Sequence, residues 1–247
     1  MPGDFVAFCL DNIHIIIGFI IAAFCVTLLQ GTKQSTIKGK EQAYVVLITG
    51  CDSGFGLMAS LQFAKAGFLV VSTCMTVEGM DALKGKVEQA IICDVTKDAD
   101  VDDVIKHCQR ICESRKAKLW AVVANAGVAV AGAMDWMESE ALHKVMEVNY
   151  FGVVRTIQKA LPLLKTSPQS RIILISSMAG LGGFPLMGAY CASKFAVQGM
   201  AQCLLCELRL WNIFVCTINP GFTRLKATFM KLATYLLFRI ADFIGHL

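Results

Sequence analysis

This sequence has few charged residues. Only 17% of its 247 residues are charged, whereas 55% are hydrophobic and the mean hydropathy is +0.59. A disordered or solvating chain needs the opposite balance, so the composition excludes that class. The net charge is +4, with no run of Lys or Arg and no stripe of basic and aromatic residues. These absences argue against a nucleic-acid partner.

Internal repeats and a regular cysteine framework are absent as well. The eleven cysteines are odd in number and irregularly spaced, and most lie in apolar runs. We expect buried free thiols in a reducing compartment. Cys203 and Cys206 form a CxxC inside a helical pattern, without a second pair or a nearby His, and His107, Cys108 and Cys112 share another predicted helix. Neither group has the context of a zinc site, so no metal is expected.

A hydrophobic segment lies near the N-terminus, at residues 13–29. As a helix its 17 residues would be about 26 Å long, slightly short of a hydrocarbon core of about 30 Å. A cleaved signal peptide would need a basic region before the segment, but the first charges are Asp4 and Asp11. A buried core helix is a further alternative. We expect residues 1–30 to form a membrane anchor.

Basic residues follow this segment at Lys33, Lys38 and Lys40, and only acids precede it. The positive-inside rule then places the rest of the chain in the cytosol, and we expect it at the endoplasmic reticulum membrane. Residues 31–43 are polar and are interpreted as a linker to a domain at 44–247.

From Tyr44 onward, apolar runs alternate with helical patterns. Strands are predicted at 44–49, 68–74, 90–93, 119–124, 171–176 and 213–218, and helices at 57–66, 101–114, 138–164 and 190–210. Continuous apolar runs are typical of parallel strands that are covered on both faces. With right-handed crossovers, the alternation predicts an α/β fold, a Rossmann-type doubly wound parallel sheet.

A glycine-rich turn, TGCDSGFG at residues 49–56, lies between the first strand and the first helix. Gly50 permits a tight turn, Gly54 lets the backbone approach a pyrophosphate, and Gly56 allows close packing of helix on strand. Because an apolar strand precedes the turn and a helix follows it, the motif predicts a dinucleotide site.

The spacing of this turn is TGxxxGxG, and YCASK follows at 190–194. With CDVT at 93–96, NAG at 125–127, VNYFG at 148–152, ISSMAG at 175–180 and PGFTR at 220–224, the chain resembles the short-chain dehydrogenase/reductase family over about residues 44–223. Within that family it is most similar to the branch of retinol dehydrogenases, 3α/17β-hydroxysteroid dehydrogenases and mitochondrial 3-hydroxybutyrate dehydrogenase.

The resemblance implies a set of site residues. The catalytic residues would be Tyr190, Lys194, Ser177 and Asn149. The cofactor would contact Thr49, Gly50, Ser53, Gly54, Phe55, Gly56, Asp94, Asn125, Ala126, Gly127, Tyr190, Lys194, Pro220, Gly221 and Thr223.

The roles of the catalytic residues follow from their chemistry. A free phenol has a pKa of about 10, and an ammonium four residues along a helix lies on the same face and favours the phenolate. Tyr190 is therefore the proton donor and acceptor, and by resemblance Lys194 also holds the nicotinamide ribose. Ser177 would hydrogen-bond the substrate oxygen. Its neighbour Ser176 points to the opposite face of a strand, so only one of the two can serve. By analogy, Asn149 anchors a water that relays protons to Lys194.

The cofactor is expected to be NAD, with NADP left open. An acid at the end of the second strand usually selects NAD, but Cys74, Met75 and Thr76 stand there. A cation for the 2′-phosphate of NADP is missing there and in the glycine turn, where Asp52 would repel a phosphate that came close.

A membrane anchor favours a lipophilic alcohol or carbonyl substrate, a retinoid or a hydroxysteroid. The family continues past the sixth strand, whereas here 26 residues follow Gly221 and an apolar amphipathic helix is predicted from about 225. We therefore expect the seventh strand to be missing. Two alternatives stay open: a shortened, weak or inactive relative that acts as a binding or dimerisation partner, and a dehydrogenase of a small hydroxy acid such as 3-hydroxybutyrate. A homodimer is expected from the family.

Overall fold

The computed structural model describes residues 39–167 and 169–221. The predicted membrane anchor, most of the linker, Thr223 and the predicted C-terminal helix lie outside these residues. Among the helices of the described ranges, none combines the length and the hydrophobicity that a membrane span requires.

In the part of the chain that the structure describes, six parallel strands form one sheet, in the order β3-β2-β1-β4-β5-β6. The strands are β1 (Tyr44–Ile48), β2 (Leu69–Cys74), β3 (Gln89–Ile92), β4 (Lys118–Ala124), β5 (Arg171–Ile175) and β6 (Phe214–Ile218). The predicted doubly wound parallel sheet is confirmed, and each predicted strand is present to within one residue at either end. Within the described ranges, β3 and β6 are the edge strands.

The apolar runs are continuous because both faces of the sheet are covered. In β1, Val45 and Leu47 belong to one buried cluster, while Val46 and Ile48 belong to a second cluster on the other face. All four side chains are fully buried. A strand with one solvated face would have alternated apolar and polar residues instead.

Within residues 39–167 and 169–221, six α-helices cover the two faces. They are α1 (Gly54–Lys65), α2 (Val77–Leu83), α3 (Asp98–Arg115), α4 (Ser139–Met146), α5 (Gly152–Lys165) and α6 (Gly188–Glu207). The sequence reasoning missed α2, because seven residues are too few to display a helical period. The predicted helix at 138–164 is continuous, but Glu147–Phe151 forms a π-helical turn between α4 and α5.

The strand order reverses at β1 and β4. From β1 the chain proceeds outward to β2 and β3, and from β4 it proceeds in the other direction to β5 and β6. Loops that leave adjacent strands in opposite directions open a crevice at the carboxyl end of the sheet, which is where such folds bind ligands.

Candidate active site

The glycine turn leaves β1 at the strand reversal. Gly50 has φ of +68°, and a Cβ there would lie 2.7 Å from the Cα of Ala126. Any side chain at this position would therefore push β1 and the end of β4 apart. A Cβ on Gly56 would overlap the carbonyl oxygen of Gly50 and the side-chain amide of Asn125. Both glycines are required for the close approach of α1 to the sheet.

Thr49 and Asn125 hold the turn in place. The Asn125 side-chain amide donates to the carbonyl oxygens of Thr49 and Gly50, at 2.9 and 2.8 Å. In return, the Thr49 hydroxyl oxygen accepts the backbone N–H groups of Asn125 and Ala126, at 3.0 and 3.1 Å. Four hydrogen bonds thus fix the position of the turn relative to β4.

A cleft of about 910 Å³ opens above this turn. Of the residues predicted for the site, those that line it are Gly50, Ser53, Phe55, Asp94, Asn125, Ala126, Gly127, Ser177, Tyr190, Lys194, Pro220 and Gly221. Thr49, Gly54, Gly56 and Asn149 are not part of the lining. The Thr49 hydroxyl oxygen accepts the Asn125 N–H, and Gly56 packs against the Gly50 carbonyl, so both support the turn. Gly54 is the first residue of α1.

The two serines at the end of β5 point in different directions. The Ser176 hydroxyl is buried and donates to the carbonyl oxygen of Lys194 at 3.2 Å. Ser177 is half-buried, lines the cleft and caps a short 3₁₀ turn at Met178–Gly180 by accepting the N–H of Ala179. Its hydroxyl hydrogen remains for a substrate oxygen.

Tyr190 and Lys194 lie on one face of α6, with the ammonium nitrogen 5.7 Å from the centroid of the phenol ring. Lys194 is 4% exposed, and its Nζ donates to the carbonyl oxygen of Ile175 at 2.8 Å. Burial lowers the pKa of Lys194 to about 8. A charged amine that is largely excluded from water stabilises a nearby anion more strongly than a solvent-exposed amine does.

Asn149 stands in the π-helical turn and is completely buried. Its side-chain oxygen accepts the N–H of Val128 at 2.8 Å, and its amide donates to the Val128 carbonyl at 2.9 Å and to the Ser193 hydroxyl at 3.0 Å. The side chain therefore ties the loop after β4 to α6. These bonds use both amide hydrogens and one lone pair of the side-chain oxygen, so a relaying water would have to donate to the second lone pair or bind another atom.

Asp94 follows β3 and lines the cleft. Burial raises the pKa of Asp94. The N–H and the hydroxyl of Thr96 donate to its Oδ1 at 3.0 and 2.7 Å, and these bonds, with the charges of Lys97 and Arg155, lower the pKa by more. The net pKa lies below the ordinary range, so the group is a carboxylate at neutral pH.

Four further polar or flexible side chains line the cleft without a role from the motifs: Asp52, Met75, Lys144 and Glu147. For Asp52, the sequence alone indicates a negative charge that would repel a phosphate close to it. Lys144 carries no motif, and only the folded position of α4 places it at the cleft.

The cysteines partly match the expectation. Five of them are buried, and burial raises the pKa of Cys51 and Cys93 to about 12 and of Cys74 to about 11. Cys203 and Cys206 are exposed on α6, so the expectation of buried thiols is wrong for this pair. In the described ranges, no group of three or more His, Cys, Asp or Glu is placed to hold a metal ion.

The cleft fits a nicotinamide dinucleotide. It lies at the strand reversal, the helix α1 begins beside it, and a Cβ on Gly54 would find nothing within 4 Å. That open space suits a pyrophosphate close to the backbone. At the other end, the Lys194 ammonium has three protons and one protein carbonyl partner among the described residues, which leaves donors for ribose hydroxyls.

A family model for short chain dehydrogenases matches residues 44–234. The chain belongs to the short-chain dehydrogenase/reductase family. The resemblance of its motifs is thereby confirmed, and proteins of this family are NAD(P)-dependent oxidoreductases.

Curated members of the family support the predicted branch. The chain is 31% identical to retinol dehydrogenase 16 of Rattus norvegicus, over 81% of this chain and 63% of that protein. It is 36% identical to dehydrogenase/reductase SDR family member 9 of Homo sapiens, over 71% of this chain and 55% of that protein. For the mitochondrial D-beta-hydroxybutyrate dehydrogenase of Rattus norvegicus, the identity is 32% over 71% and 53%. The chain thus spans between half and two-thirds of the length of these relatives.

Solved structures of family members share the fold. A 3-ketoacyl-(acyl-carrier-protein) reductase from Brucella melitensis, complexed with NADH, has a TM-score of 0.67 and 28% identity, over 72% of this chain and 75% of that one. A short-chain dehydrogenase from Streptomyces avermitilis has a TM-score of 0.68 and 28% identity, over 75% and 68%.

Proposed function

We propose that this protein is a membrane-anchored, NAD-linked dehydrogenase that transfers a hydride between the cofactor and a lipophilic alcohol or carbonyl, a retinoid or a hydroxysteroid. One observation carries the proposal. Ser177, Tyr190 and Lys194 line the same cleft as the glycine turn at the strand reversal.

When bound, the nicotinamide ring accepts a hydride from the alcohol carbon or returns one to the carbonyl carbon. In the oxidation direction, the phenolic oxygen of Tyr190 takes the hydroxyl proton as the carbonyl forms, and in reduction it gives that proton back. Ser177 donates its free hydroxyl hydrogen to the substrate oxygen and stabilises the charge that develops there.

Lys194 supports this transfer electrostatically. Its ammonium lies on the same helix face as Tyr190 and is nearly excluded from solvent. The positive charge favours negative charge on the phenol oxygen, and burial strengthens that attraction. The remaining ammonium protons would bind the nicotinamide ribose, so that one residue holds the cofactor and supports the base. Asn149 would act as a positioning residue through Val128 and Ser193.

Exposed apolar side chains in the segments that follow β4 and β5 support a lipophilic substrate. Two segments follow β4 and β5, and the Gly132 N–H joins them by donating to the Leu186 carbonyl at 2.8 Å. The large apolar side chains that these segments expose are Met134, Trp136, Met178, Leu181 and Leu186. Removing such surface from water would favour the binding of a retinoid or steroid ring system.

The anchoring and assembly proposals rest on the sequence and on exposed helix faces. Residues 1–30 would be the anchor in the endoplasmic reticulum membrane, 31–43 the linker, and 44–247 a cytosolic catalytic domain with an amphipathic helix from about 225. A homodimer would form through the long helix and α6, where Phe151, Phe195 and Leu205 are exposed.

The decisive experiment uses the full chain expressed in membranes. NADH formation from NAD is followed with retinol and with androstanediol, and the Tyr190→Phe variant serves as the control. We expect turnover in the natural protein and its loss in the variant, with NADH binding retained in both. NADH binding without turnover of any substrate would contradict the proposal and favour a non-enzymatic relative.

One observation favours a second substrate class, a small hydroxy acid. Lys144 lines the cleft and is exposed, so it could pair with the carboxylate of a small hydroxy acid, and hydroxybutyrate dehydrogenases are among the relatives. 3-Hydroxybutyrate is therefore assayed beside the lipophilic alcohols. Turnover of 3-hydroxybutyrate that is lost in Lys144→Met, without turnover of retinol or androstanediol, would decide for this class.

A further inference from the structure

The carboxylate of Asp52 lies at the end of a strand to which it does not belong. Asp52 stands in the glycine turn after β1, yet its Oδ2 accepts the N–H of Met75 at 2.9 Å. Its Oδ1 accepts both the N–H and the hydroxyl of Thr76, each at 2.8 Å. Met75 and Thr76 are the first two residues after β2. Asp52 thus brings a negative charge to the carboxyl end of β2.

That end of β2 is where dinucleotide folds distinguish their cofactors. An acid there usually bonds the ribose hydroxyls of NAD, and a nearby Arg accommodates the 2′-phosphate of NADP. In this chain Cys74, Met75 and Thr76 supply neither group. Asp52 and Met75 line the same cleft. The Asp52 carboxylate therefore reaches the carboxyl end of β2 from the glycine turn after β1.

Building on the proposed function, we propose that Asp52 is the residue that selects NAD over NADP in this protein. A 2′-phosphate at the end of β2 would face the Asp52 carboxylate, whereas a 2′-hydroxyl could donate a hydrogen bond to it. The backbone N–H groups of Met75 and Thr76, which could otherwise bind phosphate oxygens, already donate to Asp52.

The charge and position of Asp52 are both well defined. Burial raises its pKa, but the hydrogen bonds from Met75 and Thr76 outweigh it and hold the pKa below the ordinary range. The group is therefore ionised at neutral pH. Gly79 packs directly against it, since a Cβ there would lie 2.8 Å from the Asp52 Cα. Asp52 has little room to turn away from an incoming phosphate.

The described cations of the cleft belong to the other half of the fold from Asp52. Among the described lining residues, the Lys and Arg side chains are Lys144 and Lys194, on α4 and α6. Both helices belong to the half of the fold that follows β4, whereas Asp52 and Met75 belong to the half built on β1 and β2. In the described part of the lining, the β1–β2 half thus offers a 2′-phosphate the Asp52 carboxylate and no Lys or Arg.

The test measures binding and needs no turnover. The purified full chain in detergent is titrated with NADH and NADPH, with nicotinamide fluorescence as the readout. Adenosine 5′-monophosphate and adenosine 2′,5′-bisphosphate then compete as probes of the adenosine end alone. The variants are Asp52→Asn and Asp52→Ser, which remove the charge, and Thr76→Val, which removes a hydrogen bond of the same loop and keeps the charge.

We expect the natural protein to bind NADH at least about tenfold more tightly than NADPH. Either Asp52 variant should tighten NADPH and adenosine 2′,5′-bisphosphate about tenfold while NADH changes less than about threefold. Thr76→Val should keep the natural ratio. If the natural protein does not discriminate, or if every Asp52 variant that folds keeps the natural ratio, Asp52 is not the selector and the dehydrogenase proposal stands. If the natural protein binds neither dinucleotide, both proposals fail.

Discussion

The ammonium nitrogen of Lys194 donates to the carbonyl oxygen of Ile175 across 2.8 Å, from α6 to the end of β5. This contact places a nearly buried positive charge in the wall of the cleft, and the carbonyl dipole compensates it only in part. The arrangement is costly for the folded chain, because burial disfavours the charged form of an amine.

The first prediction concerns the pH dependence of stability. Lys194 has a pKa of about 8 in the folded chain, against an ordinary value of 10.5. Between these values the unfolded chain holds a proton that the folded chain has lost, so the free energy of unfolding rises with pH. Below about pH 8 the full penalty of the buried charge is present, and above about pH 10.5 it is absent.

Lys194→Met should therefore remove a rise on the order of 3 kcal/mol between pH 7 and pH 11. Urea unfolding of the natural protein and the variant, followed by circular dichroism at both pH values, measures the difference. A variant of the exposed Lys84, Lys84→Met, is the matched control and should keep the natural slope. Equal slopes in the natural protein and Lys194→Met would contradict the prediction.

The second prediction separates the two serines that end β5. Ser177→Ala should lower turnover about a hundredfold, because the lost hydroxyl lines the cleft. It should also lower the free energy of unfolding by about 1 kcal/mol, because the hydroxyl oxygen accepts the N–H of Ala179. Ser176→Ala should lower the free energy of unfolding by about 1 kcal/mol, because it removes a buried hydrogen bond to the carbonyl of Lys194. Initial rates and urea unfolding on both variants provide the two readouts. Equal loss of turnover in the two variants would show that the choice between the serines is wrong.

Much of this site could be predicted because it consists of local motifs. The glycine turn, the serine after β5 and the Tyr190–Lys194 pair are each short stretches of sequence with a known position relative to a strand or helix. The apolar runs also located all six strands, because a strand covered on both faces needs apolar residues throughout.

What could not be predicted depends on contacts between distant loops. Asp52 and Thr76 are 24 residues apart, and nothing in either stretch indicates that they share a hydrogen bond. Similarly, Asn149 bonds Val128 and Ser193 from a π-helical turn, and π-helical turns have no period that a sequence displays. The cleft position of Lys144 likewise follows from the packing of α4 alone.

The third prediction tests Asn149 as a positioning residue. Asn149→Ala removes the partner of the Val128 N–H and carbonyl, which are half-buried at the cleft, and should cost about 1–3 kcal/mol of stability. Turnover should fall further than NADH affinity, because Ser193 also donates to the carbonyl of Tyr190 at 2.7 Å and the displaced loop carries Gly127. An exposed residue of α6 gives the control, Gln202→Ala, which should change neither quantity. A variant that folds stably with natural kcat and KM would contradict this role.

The fourth prediction concerns thiol reactivity. Cys203 and Cys206 are exposed on α6, whereas Cys51 and Cys108 are buried and have pKa values raised by burial. Because the thiolate is the reactive form, a maleimide at pH 7 should label the exposed pair and leave Cys51 and Cys108 unlabelled until the protein unfolds. Peptide mass mapping of the labelled sites provides the measurement. The Cys203→Ser/Cys206→Ser double variant should lose the label on α6, and labelling of Cys108 in the native protein would contradict the buried placement.

The fifth prediction concerns the contact between the glycine turn and β4. Gly56→Ala places a methyl group against the Gly50 carbonyl and the Asn125 amide, both of which belong to the hydrogen-bonded clamp of the turn. The neighbours cannot retreat without breaking that clamp, so we expect a loss of about 2 kcal/mol of stability and weaker NADH binding. Gly183→Ala is the matched control, since a Cβ at Gly183 would find nothing within 4 Å. NADH titration and thermal unfolding of both variants measure the effect. If Gly56→Ala binds NADH as tightly as Gly183→Ala does, the close approach of α1 to the sheet is not needed for the cofactor site.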